Sequence, residues 1–192
     1  MRAEGRLPPG QSATIKWPVL HVGAEPAFDA ATWDFRASGA VEAPLALGWA
    51  EMSALPRREV VTDFHCVTRW STFDNRWEGV PVREILSRVR PRPEARHVMA
   101  VGHVGETRYG YQTNIPLADL DRDDVLLAMR RNGEDISAEH GGPLRLVVPH
   151  LYAWKSCKWI RGLIFMEEDR AGYWERAGYH MRGDPFAEER FG

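Results

Sequence analysis

The sequence predicts an α+β fold, on three observations. Short β-branched and aromatic runs recur along the chain, helical runs are few and short, and the two do not alternate as regular βαβ units. Residues 1–14 are polar and rich in Pro and Gly, which predicts an irregular arm ahead of one domain over 15–192. Residues 17–22 (WPVLHV) are a short apolar run, a strand or an extended loop. Residues 32–41 alternate well enough for a strand, with Gly39 near a turn. Residues 47–55 read as a short helix ended by Pro56. Residues 58–67 (REVVTDFHCV) are strand-like and run into Cys66. Residues 76–79 read as a turn. Residues 81–89 predict a helix, with Pro at the first turn and Val82, Ile85, Leu86 and Val89 on one face.

Residues 97–101 predict a short strand, 109–115 a strand or loop, and 116–119 a turn of helix. Residues 125–130 are apolar and closed by Asn132-Gly133, a strong turn signal. His140-Gly141-Gly142-Pro143 is a loop ahead of a strand at 144–148, which Pro149 stops. The last clear strand is 159–167, and the tail from Asp169 is aromatic, charged and Gly-rich.

A chain of 192 residues is long enough to bury a sizeable core. With 44% apolar and 27% charged residues it has the composition of a soluble globular domain. The net charge of −2 provides no bulk basic field, so neither nucleic acid nor an anionic membrane surface is expected as a partner. No segment approaches the ~18 apolar residues of a membrane span, and residues 1–10 carry no apolar stretch of the signal-peptide kind. Two cysteines far apart make neither a CxxC pair nor a zinc knuckle, and two free thiols in a reducing cytoplasm are expected. Eight Trp exceed the usual number and point to aromatic packing or to walls around a flat ligand.

Cys66 ends a strand, where a sulfur faces a cleft and a soft thiolate suits a transition metal or acts as a nucleophile. The plainer reading is a packed thiol. Arg145 sits inside an apolar strand (LRLVV), where a guanidinium needs a partner. Lys155-Ser156-Cys157-Lys158 follows with two ammonium groups, a hydroxyl and backbone donors, a cradle for phosphate or, more plainly, a solvated basic turn. The seven histidines have no HxxxH or HExxH spacing, and GxGxxG, Walker A and GxSxG motifs are absent. On a strand, His65 points away from the face of Cys66. A cysteine hydrolase pairing Cys66 with His140 or His103 remains open at this point.

Two blocks resemble one family. DFHCVTRWS followed by NRWEGVPVREIL is similar to the cysteine-bearing segment of the sulfite oxidase molybdopterin domain, whose members include sulfite oxidase, plant-type nitrate reductase and the bacterial methionine sulfoxide reductase catalytic subunit. NGEDISAEHGGPLRLVVPHLYAWKSCKWIRGL is similar to the family's pterin-binding stretch, and the likeness covers roughly residues 15–180. It implies a molybdenum-molybdopterin cofactor. It implies that Cys66 ligates the metal, and that His140, Arg145, Ser156, Cys157 and Lys158 hold the pterin and its phosphate. Leu20 and His21 fall where the family's N-terminal segment touches the pterin, and His103 is a further contact by rough alignment. Tyr179 lies where sulfite oxidases carry an active-site Tyr.

The resemblance implies oxygen-atom transfer to or from a small oxyanion or sulfoxide, with electrons exchanged with a separate protein. The segment departs from sulfite oxidases in its arginines. Near Cys66 only Arg69 is a candidate for a substrate anion, and WPVLH has no Arg, so the expected anion pocket is thin. With no haem domain, dimerisation domain or twin-Arg signal in it, the chain reads as a stand-alone catalytic core. A cofactor-free carrier on the same fold is the alternative from another class.

Overall fold

The structure is a computed structural model that describes residues 5–103 and 111–192. In chain order it forms β1 (Ser12–Ala13), β2 (Asp34–Gly39), β3 (Leu45–Gly48), α1 (Trp49–Ala54), β4 (Arg58–Cys66) and β5 (Trp70–Pro81). Then come α2 (Val82–Val89), β6 (His97–Gly102), β7 (Gln112–Pro116), α3 (Leu117–Leu120) and β8 (Leu126–Arg131). β9 (Glu134–Asp135), β10 (Arg145–Val147), β11 (Ile160–Met166) and α4 (Tyr173–Arg176) complete it. Among the described residues one sheet runs β1-β5-β8-β10, with β4 paired to β5 and β9 to β8, and the other runs β3-β2-β11-β6-β7. This is the mixed α+β architecture expected. No helix among the described residues is long and apolar enough to cross a membrane.

The first sheet is buried on both faces. Leu127 and Met129 of β8 join the main apolar cluster, whereas Leu126 and Ala128 join a second one. The period of 2 along a strand requires these pairs to face opposite ways. The same division holds on β10, where Leu146 packs into the main cluster and Val147 into the second. The main cluster fills the space between the sheets with Phe35, Leu163 and Phe165 from one side and Val80 and Leu127 from the other. α2 adds Val82, Ile85, Leu86 and Val89, the predicted face, each stabilising by about 1.5–3 kcal/mol through burial.

Some elements differ from the sequence reading. The residues expected to turn at 76–79 lie inside β5, which runs on to Pro81, and the reversal comes earlier, at Val67-Thr68-Arg69. Cys66 pairs with Trp70, so the hairpin loop has three residues, and Arg69 closes it with φ 72. A three-residue loop needs a left-handed residue at its end, and here Arg takes the position usually given to Gly. Residues 47–55 divide between the end of β3 and α1, and Pro81 precedes α2 as its cap. The N-terminal arm is not wholly irregular, because Ser12 and Ala13 pair in parallel with Trp70 and Ser71. Residues 17–22 form no regular element, and the expected strand at 109–115 is observed from Gln112, with Tyr109 and Gly110 outside the described residues.

Candidate functional site

A cavity of about 170 Å³ opens at the Cys66 end of the first sheet. A single water needs only about 10–15 Å³ on this kind of measure, so the space suits a ligand. Its floor is the outer face of the first sheet: Phe64, Cys66 and Trp70 from the β4–β5 hairpin and Arg145 from β10. Strand alternation puts Phe64 and Cys66 on that face and turns His65 away, onto Ser71 and the Phe186 ring. Segment 17–21 crosses one side, β7 begins on another, and the tail contributes Trp174 and Tyr179.

Cys66 is 7% exposed but belongs to neither apolar cluster. Its sulfur lies 3.1 Å from Thr68 Oγ1. Burial pushes the thiol up, opposed by the Thr68 contacts and by the positive fields of Lys158 and Arg190. No histidine is hydrogen-bonded to this sulfur among the described residues, which leaves the hydrolase pairing without its base. Both ends of the chain brace the hairpin loop. Gln11 Nε2 donates to the Cys66 carbonyl at 2.9 Å, and Arg190 donates to the Val67 carbonyl at 2.7 Å. Cys157 contrasts with Cys66. It packs in the main cluster, donates to the Tyr111 carbonyl at 3.2 Å, and burial pushes its thiol up to about 12.

Arg145 is buried, at 2% exposure, and its guanidinium meets carbonyls, not a carboxylate. NH1 donates to His140 O at 2.7 Å and NH2 to Ser156 O at 3.0 Å, so the side chain also ties the 140 and 156 loops together. Burial lowers its pKa to about 10, which leaves it charged at neutral pH. Trp17, Phe64 and Trp77 rings lie within 5.9 Å of it. Lys158 donates to Glu139 O at 2.7 Å, and burial together with Arg145 lowers its pKa to about 7. Gly141 makes room for it: with φ 101, a Cβ there would stand 2.8 Å from Lys158 Cβ.

His140 stacks on Trp17 with ring centroids 3.7 Å apart, and burial lowers it to about 4, so it is a neutral imidazole at pH 7. The Ser156 hydroxyl accepts from Val148 N at 2.9 Å. His21 sets the edge of its ring against Trp159, and Tyr111 hydroxyl brackets Val22 through both its N–H and its carbonyl.

The structure thus brings Leu20, His21, Cys66, His140, Arg145, Ser156, Cys157, Lys158 and Tyr179 to one cavity. His103 is not among its lining residues. Its N–H donates to Trp159 O at 2.9 Å, and Val104 and Gly105 of the same run lie outside the described residues. Lys155, read beside Lys158 as part of a phosphate cradle, turns into the protein and pairs with Glu175 at 2.6 Å. Arg69 is exposed and also absent from the lining. Sequence reasoning missed Trp17, Thr113, Trp154 and Trp174 as walls; the excess of Trp was a signal for the three tryptophans, and Thr113 had none.

Among the described residues the lining contains Arg145 and Lys158 and no Asp or Glu. A buried cation beside an open space, without a carboxylate, favours an anionic ligand. The described residues hold no group of three or more His, Cys, Asp or Glu able to bind a metal alone. A metal at Cys66 therefore needs its other ligands from elsewhere, and a dithiolene-bearing pterin with a phosphate brings both those ligands and the anion. The residues present fit that group.

Comparison with known proteins agrees. The family model described as "Oxidoreductase molybdopterin binding domain" matches residues 21–174. The oxidoreductase YuiH of Bacillus subtilis (strain 168) is 46% identical over 188 residues, 97% of this chain and 92% of that protein. The protein-methionine-sulfoxide reductase catalytic subunit MsrP of Campylobacter jejuni is 27% identical over 160 residues, 77% of this chain but 54% of that protein. The crystal structure of the sulfane dehydrogenase SoxCD from Paracoccus pantotrophus superposes with a TM-score of 0.69 at 23% identity, over 78% of this chain and 42% of that one. That likeness shows the fold.

Proposed function

We propose a molybdenum-dependent oxygen-atom transfer function, on the premise that the chain belongs to the oxidoreductase molybdopterin binding domain family. It is a molybdopterin-binding oxidoreductase domain. The observation that carries the finer reading is the cavity wall: among the described residues it has one buried thiol that joins neither apolar cluster, two basic side chains, and no carboxylate. On this reading Cys66 ligates the metal. Arg145 and Lys158 face the phosphate, Ser156 and Cys157 line the pterin, and Leu20 and His21 cover it. Neutral His140, pinned by Trp17, would help to hold the pterin without adding charge. When bound, the cofactor supplies a metal that takes up or gives up an oxygen atom and exchanges electrons.

The chain's own residues do the remaining work. Trp154, Trp174 and Tyr179, a cluster of rings in mutual contact, hold the substrate, and Tyr179 hydroxyl orients it or passes a proton. With an aromatic wall there and Arg69 outside the lining, a neutral sulfoxide fits better than an oxyanion such as sulfite. The overall reaction is then sulfoxide plus two electrons and two protons giving sulfide and water. Another protein provides the electrons. The chain spans about half of the Campylobacter reductase, so the sulfoxide substrate stays part of the proposal.

Plasma mass spectrometry of the protein made in a host that produces the cofactor tests this reading. Near-stoichiometric molybdenum, lost in a folded Cys66→Ser variant, is the expected result. No molybdenum in the parent would favour the carrier alternative, and full metal in Cys66→Ser would sink the ligand assignment.

A further inference from the structure

Lys155 is fully buried, stands in sequence between the lining residues Trp154 and Ser156, and has no part in the function proposed above. Its ammonium group donates to Glu175 Oε1 at 2.6 Å, Asn114 Oδ1 at 2.8 Å, Asn114 O at 2.9 Å and Met181 O at 2.6 Å. Glu175 Oε1 also accepts from Thr113 Oγ1 and from Trp154 Nε1, each at 2.9 Å. Thr113 and Trp154 both line the cavity. So does Trp174, the neighbour of Glu175 on α4. Tyr179 follows, its N–H donating to Trp174 O at 3.1 Å. One buried ion pair therefore gathers the start of β7, the turn at Ala153–Lys155 and the tail helix, and these carry the aromatic side of the cavity.

A four-residue helix has no stability of its own, so α4 keeps its place only through such contacts. The other side of the cavity is held by different bonds, from Arg145 to the 140 and 156 carbonyls and from Lys158 to Glu139. Beyond Met181 the tail is also held separately, by Arg182 on Asp119 and by Tyr152 N on Gly183 O.

We propose that the buried Lys155–Glu175 pair is a positioning device for the substrate side of the cavity. It sets Thr113, Trp154, Trp174 and Tyr179 while the Cys66, Arg145 and Lys158 side stands independently. The substrate role rests on the function proposed above; the positioning itself does not. Neither residue touches the reacting atoms, and both act through the aromatic wall.

The test compares the parent with Glu175→Gln and with the charge-free double variant Lys155→Met/Glu175→Gln, each purified from a host that makes the cofactor. Three readouts are taken: amide hydrogen exchange by segment, molybdenum per chain, and kinetics with methionine sulfoxide and a reduced viologen donor. Expected are exchange at least tenfold faster at 176–179, parent-like exchange at 64–70 and 140–146, and unchanged molybdenum. KM is expected to rise about tenfold and kcat to fall by about threefold or more, since Tyr179 loosens with the same wall. Parent-like exchange at 176–179, faster exchange spread evenly over the chain, or failure of both variants to fold would each overturn the proposal. A parent without molybdenum, or one inert to sulfoxide, would defeat the function proposed above and leave the exchange comparison to decide the positioning role.

Discussion

The two walls of the cavity are built on opposite electrostatic plans. On the sheet side, Arg145 and Lys158 donate to carbonyls and, among the described residues, to no carboxylate, beside a thiol that packs in no apolar cluster. On the tail side, the buried cation Lys155 has its own carboxylate, Glu175, and rings face the cavity. Lys155 and Lys158 sit three residues apart in one turn, yet one charge is neutralised inside the protein and the other is left for something outside it. Lys155 has a carboxylate in direct contact, whereas Lys158 feels Glu25 and Glu139 only at longer range, which leaves room for an anion on that side.

The cysteines break this comparison most sharply. Cys66→Ser is expected to lose essentially all molybdenum at a stability cost below about 1 kcal/mol, since this sulfur belongs to no packed cluster. Cys157→Ala is expected to keep the metal and cost about 1–2 kcal/mol, since that thiol fills core space. Denaturant midpoints beside metal analysis read both, and a reversed pattern would exchange the roles of the two residues. Next in size is Arg145→Ala, which removes the buried cation and orphans the His140 and Ser156 carbonyls. We expect severalfold less molybdenum and a loss of about 1–3 kcal/mol. Unchanged metal content would remove Arg145 from the pterin side.

Tyr179→Phe probes the tail wall by deleting one hydroxyl. Its kcat with methionine sulfoxide should fall by roughly a hundredfold with molybdenum unchanged, and full turnover would leave Tyr179 as a wall alone. The smallest effect is on pH. Lys158 is lowered to about 7 by burial and Arg145, so without an anion it loses its charge progressively as pH rises through that value. An anion favours the protonated form, so above pH 7 binding requires proton uptake and weakens as pH rises. Calorimetry of pyrophosphate with cofactor-free protein should show affinity falling by up to about tenfold per pH unit above 7. Flat affinity from pH 6 to 9 would take Lys158 out of the anion site.

Local pattern was enough for several elements. α2 shows its buried face in the spacing of Val82, Ile85, Leu86 and Val89, because a helix must bury one stripe. Residues 126–129 show only an apolar run, because β8 is covered on both faces and loses its alternation. The turn expected at 76–79 was a false signal, since pairing along β4 and β8 carries β5 straight through it.

By itself the sequence determined the fold class and the family, and it pointed to Cys66, Arg145, Lys158 and Tyr179 as residues of one site. Those inferences rest on local order, on a guanidinium in an apolar strand, and on motifs long enough to be specific. Tertiary structure alone decided which lysine of the basic turn faces the cavity, which cysteine joins no apolar cluster, and that Trp17, Trp154 and Trp174 wall the site. The reason is distance along the chain. Trp17 meets His140, and Lys155 meets Asn114 and Glu175, only after both sheets and the tail have packed, and no local pattern encodes such meetings.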